Sequence, residues 1–128
     1  MIIRTGIDLV EVHRLAEVNP RIRARFLQRV FTPEELRICK DSNEKLAGRF
    51  AVKEAVSKAL GTGIGPISWK DVETLDGAMG EPILILYGKA QVFAEMIGLE
   101  AWSVSISDSG DLVMAVAAAV GNQGKPAF

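Results

Sequence analysis

Arg49, Lys53, Glu54 and Lys58 fall within a stretch, Leu46 to Leu60, whose other residues are nearly all apolar or small. Wound as a helix at about 100° per residue, the stretch spreads Leu46, Phe50, Val52, Val56, Leu60 and its alanines round almost the whole circumference. A helix apolar on every side is a buried one. A buried charge is costly unless it is paired or meets a ligand or metal, so these four residues mark the helix as the wall of a site. Glu54 and Lys58 are one turn apart and share a stripe with Ala47 and Ala51, small residues that would let a ligand or another backbone come close. Arg49 and Lys53 form a second pair on a neighbouring edge. A plain intrahelical ion pair between Glu54 and Lys58, worth only a few tenths of a kcal/mol, is the alternative.

A second carboxylate, Asp8, closes an apolar segment near the start of the chain. It reads either as the cap of a following helix or, with Glu54, as one of two hard oxygen ligands. Two carboxylates plus waters suit Mg²⁺, which completes its shell with substrate phosphates. Gly61-Thr62-Gly63-Ile64-Gly65 follows a helix where a phosphate loop would follow a strand, and it lacks the Gly-Lys-Ser/Thr ending. A flexible loop against which a nucleotide could lie stays open. The single His13 excludes a histidine-rich metal site. Arg14, Arg21, Arg23, Arg25 and Arg29 form a local basic cluster with Glu17 the only acid among them. Such a patch is either a solvated helix face or a dock for an acidic partner. RNA would meet only Phe26 for base stacking.

The elements that must hold these residues can be read along the chain. Ile2 to Asp8 is strand-like, with Gly6 as a break near its end. Helices follow at about Glu11 to Glu17 and from Pro20, the latter with Ile22, Phe26 and Val30 as its stripe. Thr32-Pro33-Glu34-Glu35 opens another helix, with Thr32 as cap and Glu35 reaching back. The central helix stops at Gly61. Trp69 to Leu75 and Ile83 to Tyr87 read as strands and Ala90 to Ile97 as a helix ending at Gly98. Ala101 to Ser107 and Leu112 to Ala119 read as strands flanking a turn at Asp108-Ser109-Gly110-Asp111. This order lacks regular βαβ alternation and predicts an α+β domain, an antiparallel sheet packed on helices around one long central helix. Residues 1–120 form the single domain and 121–128 a tail.

Composition narrows the function. The 128 residues, 48% hydrophobic, suffice for one compact domain. The 16 acidic and 15 basic residues nearly cancel, so global charge points to neither nucleic acid nor a membrane surface. The longest apolar run, Leu112 to Val120, is too short for a bilayer. Cys39 has no partner for a disulfide, and nothing at the N-terminus reads as a signal peptide. The expectation is a cytoplasmic protein.

Gly6-Ile7-Asp8-Leu9-Val10-Glu11, Phe31-Thr32-Pro33-Glu34-Glu35, the run from Leu46 to Gly63 and Ser105-Ile106-Ser107 together resemble the holo-acyl-carrier-protein synthases, the small bacterial 4′-phosphopantetheinyl transferases. The resemblance spans Ile3 to about Val120. It implies transfer of the 4′-phosphopantetheine arm of coenzyme A to a serine of an apo acyl carrier protein, in fatty acid biosynthesis, with release of adenosine 3′,5′-bisphosphate. It implies Mg²⁺ on Asp8 and Glu54, with Glu54 as candidate base and Lys58 at the diphosphate. Arg49 would hold the 3′-phosphate, and Lys53, Gly61, Thr62, Gly63 and Asp108 complete the expected coenzyme contacts. Arg14 would dock the acidic carrier, with Arg21 and Arg25 extending that surface. The resemblance also implies a homotrimer with active sites between subunits. One departure stands out: the family often reads Ser-x-Ser-His where this chain has Ser105-Ile106-Ser107-Asp108. An anion in place of a potential cation beside phosphates weakens coenzyme binding unless the metal absorbs the charge. A coenzyme- or carrier-binding module without turnover, and a small RNA-binding domain, are the competing expectations.

Overall fold

The computed structural model describes residues 1–122. Strand β1 (Ile2–Glu11) leads into four helices, α1 (His13–Glu17), α2 (Pro20–Val30), α3 (Pro33–Cys39) and α4 (Asn43–Leu60). A 3-10 turn (Trp69–Asp71), strands β2 (Val72–Asp76) and β3 (Pro82–Leu86), helix α5 (Gly88–Ile97) and the hairpin β4 (Leu99–Ser109) and β5 (Leu112–Gly121) follow. The sheet is antiparallel, in the order β1-β5-β4, and β2-β3 form a separate antiparallel pair. The expected α+β architecture is the one found, with α4 laid across the inner face of the three-stranded sheet.

Small residues are what let α4 lie so close. The inward positions of β5, Val113, Ala115, Ala117 and Ala119, are buried, as are Ala51, Ala55 and Ala59 on the helix. At Gly6 the approach is backbone to backbone: a Cβ there would sit 1.8 Å from the carbonyl oxygen of Ala55. Gly6 therefore does not break the strand, as its residue type suggested. It lies inside β1, paired with Ala117, and its missing side chain is the space the helix occupies.

Other boundaries shift for physical reasons. Because β1 runs on to Glu11, Asp8 pairs with Ala115 in mid-strand and caps no helix; α1 begins at His13 without a side-chain cap. Trp69 to Asp71 turn as a 3-10 element before β2 begins. Asp108 and Ser109 continue β4, paired with Val113 and Leu112, so the turn shrinks to Gly110 and Asp111, with Gly110 at φ 61°. Gly121, expected in the tail, pairs with Ile2 at the end of β5, and 123–128 lie outside the described residues. The helix signals hold. Thr32 and Glu35 form the reciprocal capping box, Ser42 accepts from the Lys45 N–H, and Gly61 ends α4 at φ 78°.

The outer face of the sheet has no cover among the described residues. Ile3, Ile7 and Leu9 of β1 and Leu112, Met114, Val116 and Val120 of β5 are all exposed there. No described helix is long and apolar enough to cross a membrane.

Candidate active site

Asp8 alternates with the outward Ile7 and Leu9, so its carboxylate points inward to α4 and is only 18% exposed. There it meets Lys58, whose Nζ donates to Asp8 Oδ1 at 3.2 Å and to the Ile7 carbonyl at 2.9 Å. The intrahelical Glu54–Lys58 ion pair is not among the described contacts; Lys58 reaches across to the strand. Burial pushes the Glu54 carboxyl above its usual range, the negative charge of Asp8 raises it further, and Lys58 opposes the shift. Two carboxylates thus come near each other from two elements, with Asp8 disfavouring the charge on Glu54. That is the electrostatic condition a divalent cation relieves, and hard oxygen donors with room for waters and phosphate oxygens fit Mg²⁺.

Arg49 and Asp108 lie elsewhere. Nine residues separate Arg49 from Lys58, which at about 100° per residue is half a turn round the helix. Arg49 is buried and donates to Asp76 Oδ1 at 2.5 Å, while its Nε has no partner among the described residues. It lines a cleft of about 310 Å³ with Lys45, Asp76, Gly80, Ile106 and Asp108. Asp108 is therefore a strand residue aimed at this cleft and not the first residue of a turn.

One sequence expectation needs correction, and another is narrowed. Lys53 is wholly buried, and its ammonium donates to Glu35 Oε1 at 2.8 Å, to the Trp69 carbonyl at 3.1 Å and to the Val72 carbonyl. Burial lowers its proton affinity and Glu35 restores part of it. With no exposed surface and all three donors engaged, Lys53 binds no coenzyme. It braces α4 against α3 and β2. In the Gly61–Gly63 loop, the Gly61 N–H bonds to Lys58 O, and those of Thr62 and Gly63 to Ser57 O. The loop closes the end of α4, so Gly61, Thr62 and Gly63 can offer contact surface but not a cradle of N–H donors.

The basic cluster is only partly available. Arg23 is held by Asp41 at 2.7 Å and Asn43 at 2.6 Å. Arg14 is exposed, tethered loosely to Glu11 at 3.0 Å, and Arg21 and Arg25 are exposed with no carboxylate partner among the described residues. Beside them lies a groove of about 290 Å³, lined by the paired Glu11 and Arg14 and the apolar Val10, Leu15, Val18, Ile22, Phe26 and Phe50.

Sequence reasoning missed three features. The groove needs α1, α2 and α4 in place, although the Ile22 and Phe26 stripe was its trace. Glu35, read as a cap, is also the buried partner of Lys53; the signal was confined to Lys53, a base within an apolar helix. His13, which Asp111 hydrogen-bonds and so holds in its protonated form to higher pH, ties α1 to the β4–β5 turn.

The chain belongs to the 4′-phosphopantetheinyl transferase superfamily, whose description matches residues 4–117. Within it, the similar proteins are holo-[acyl-carrier-protein] synthases. That of Herpetosiphon aurantiacus is 40% identical over 124 residues, covering 91% of this chain and 98% of the relative. That of Caldanaerobacter subterraneus subsp. tengcongensis is 42% identical over 126 residues, covering 96% and 98%. The Helicobacter pylori holo-[acyl-carrier-protein] synthase, solved in complex with coenzyme A, superposes with a TM-score of 0.81 at 33% identity, covering 91% of this chain and 99% of that one. By family and fold the protein is an enzyme, a transferase.

Proposed function

We propose that the protein moves the 4′-phosphopantetheine group of coenzyme A onto a serine hydroxyl of an apo acyl carrier protein in the cytoplasm, with Mg²⁺ held by Asp8 and Glu54. The observation that carries this reading is the inward convergence of Asp8 and Glu54, with Lys58 between strand and helix. When bound, Mg²⁺ neutralises charge on the diphosphate. The serine oxygen forms a bond to the phosphorus bearing pantetheine, the bond from that phosphorus to the bridging oxygen breaks, and adenosine 3′,5′-bisphosphate leaves. Glu54 is the candidate acceptor of the serine proton. Lys58, one turn further along α4, is placed to meet a diphosphate oxygen. Arg49, with a buried N–H lacking a partner, and Lys45 supply positive charge for the 3′-phosphate.

Arg49 lies half a turn round α4 from Lys58, and the cleft it lines with Asp108 includes neither Asp8 nor Glu54, so the full site needs a second copy to bring its cleft to Asp8 and Glu54. The apolar outer sheet face is the surface suited to that contact, since exposed apolar patches of this kind mark interfaces. We assign a homotrimer with shared sites. Light scattering should report three chains, and Ile7→Asp, which places a charge on that face, should give smaller species with little activity. A wild-type monomer active at nanomolar concentration would defeat the shared-site arrangement.

The carrier is expected on α1 and α2, where Arg14 lines the apolar groove and Arg21 and Arg25 are exposed on α2. An acidic helix with apolar residues on one side fits both features. Arg14→Glu should raise KM for the carrier tenfold or so, about 1.4 kcal/mol, while leaving KM for coenzyme A unchanged. Added salt should weaken carrier binding in the wild type. The reaction itself is tested by weighing an apo carrier protein after incubation with the protein, coenzyme A and Mg²⁺. Gain of one phosphopantetheine mass is the expected result, and an unmodified carrier would leave only a binding module.

A further inference from the structure

We propose that Lys58 is a resident counter-ion for Asp8, one that a divalent cation displaces and so frees for an anionic ligand. The inference rests on the assignment of Asp8 and Glu54 as the cation's ligands.

Lys58 has two acidic neighbours to choose from. Glu54 is one helical turn before it, at the spacing where such pairs form on an isolated helix. The ammonium instead crosses to β1, bonding Asp8 Oδ1 at 3.2 Å and the Ile7 carbonyl at 2.9 Å. Asp8 accepts no other described side-chain hydrogen bond, so Lys58 is its partner in the protein without a metal. Glu54 is left with the burial and with the repulsion of Asp8. The arrangement supplies one positive charge where the two carboxylates would take two.

The same geometry makes the charge removable. The Lys58 side chain is 52% exposed while that of Asp8 is 18% exposed. The ammonium thus has solvent to move into and the carboxylate does not. A cation on Asp8 Oδ1 repels the ammonium and takes the carboxylate oxygen it bonds, so the two cannot share that oxygen and Lys58 keeps only the Ile7 carbonyl. Arg4, the other base on this face of β1, is turned to the Ala59 carbonyl at 3.4 Å and does not compensate Asp8. Cation binding and release of Lys58 are then one event. An anion finds the ammonium available only after the cation has arrived, which couples the two ligands without any movement of the backbone.

The test is Mg²⁺ binding by calorimetry to the full-length protein without coenzyme A, for wild type, Lys58→Met, Lys58→Arg and, as a distant charge control, Lys89→Met. Lys58→Met should bind Mg²⁺ about three- to tenfold more tightly and melt at a lower temperature without Mg²⁺, because Asp8 loses its partner. Saturating Mg²⁺ should restore its melting temperature. Lys58→Arg and Lys89→Met should bind Mg²⁺ as the wild type does. Unchanged or weaker Mg²⁺ binding by Lys58→Met overturns the proposal, as does an equal gain in Lys89→Met, which would mean that net charge alone is at work. If neither wild type nor Lys58→Met binds Mg²⁺, the ligand assignment itself falls.

Discussion

Asp8→Ala and Glu54→Ala are each expected to lower phosphopantetheine transfer by roughly a hundredfold or more, the scale on which loss of one preorganised electrostatic group acts, with circular dichroism unchanged. The substitutions should part company in stability. Glu54 has its carboxyl held above the ordinary value of 4.5, first by burial and then by Asp8. Between the ordinary and the raised value the native state holds a proton that the unfolded state has released. The stability of the metal-free protein therefore falls as pH rises through that interval and stays lower above it. Glu54→Gln removes the ionisation. It should melt at a higher temperature than wild type at pH 7 without Mg²⁺, lose that advantage below pH 4.5, and be inactive throughout. Thermal melts at two pH values with a parallel transfer assay measure both effects. A Glu54→Gln protein that melts no higher at pH 7 would show that the two carboxylates do not strain each other.

The second large effect lies one residue earlier. Lys53→Met should cost about 3–5 kcal/mol, the range found when one partner of a buried ion pair is removed, out of a total of about 5–15 for a domain. Glu35 would be left buried with the Thr32 and Thr74 N–H groups at 3.0 Å as its remaining donors, and with Glu73, bonded to Thr32 Oγ1 and Tyr87 Oη, nearby. Urea unfolding measures the loss. At a temperature where the variant is still folded, KM for coenzyme A should match the wild type, because Lys53 never reaches the surface. A raised KM with normal stability would return Lys53 to the binding site.

These neighbouring residues show where sequence reading works. Glu54 and Lys58 were legible as a pair because helical period alone places them on one stripe, and Thr32 and Gly61 as helix ends because caps are local. The family motif supplied the rest of the proposed site. Lys53 was misassigned since its partners, Glu35 and the Trp69 and Val72 carbonyls, lie 16 to 19 residues away, and no local rule tells a lysine aimed at a ligand from one aimed at the core. Asp108 failed for a similar reason. Asp-Ser-Gly-Asp is turn-like in composition, but pairing with Val113 and Leu112 outweighs local preference and draws Asp108 and Ser109 into the ladder. The run Leu112 to Val120 held more than was read from it. A strand apolar at every position is covered on both faces, and here the described residues cover only one of them.

The close contact at Gly6 has a bearing on ion size. Asp8 is two residues along β1 from Gly6, and Glu54 directly precedes Ala55, the residue whose carbonyl oxygen would lie 1.8 Å from an added Cβ. The separation of the two carboxylates is thus set by how near a strand and a helix can come with no side chain between them. A methyl group at residue 6 would hold them apart, since real Cβ contacts are essentially never under 3.0 Å. Mg²⁺ needs oxygens at about 2.0–2.1 Å in a strict octahedron, whereas Ca²⁺ accepts about 2.3–2.6 Å and looser shells. If Asp8 and Glu54 hold the cation as proposed, Gly6→Ala, where it folds, should shift the ratio of Ca²⁺ to Mg²⁺ affinity upward, the glycine acting as a spacer of zero thickness between the two carboxylates.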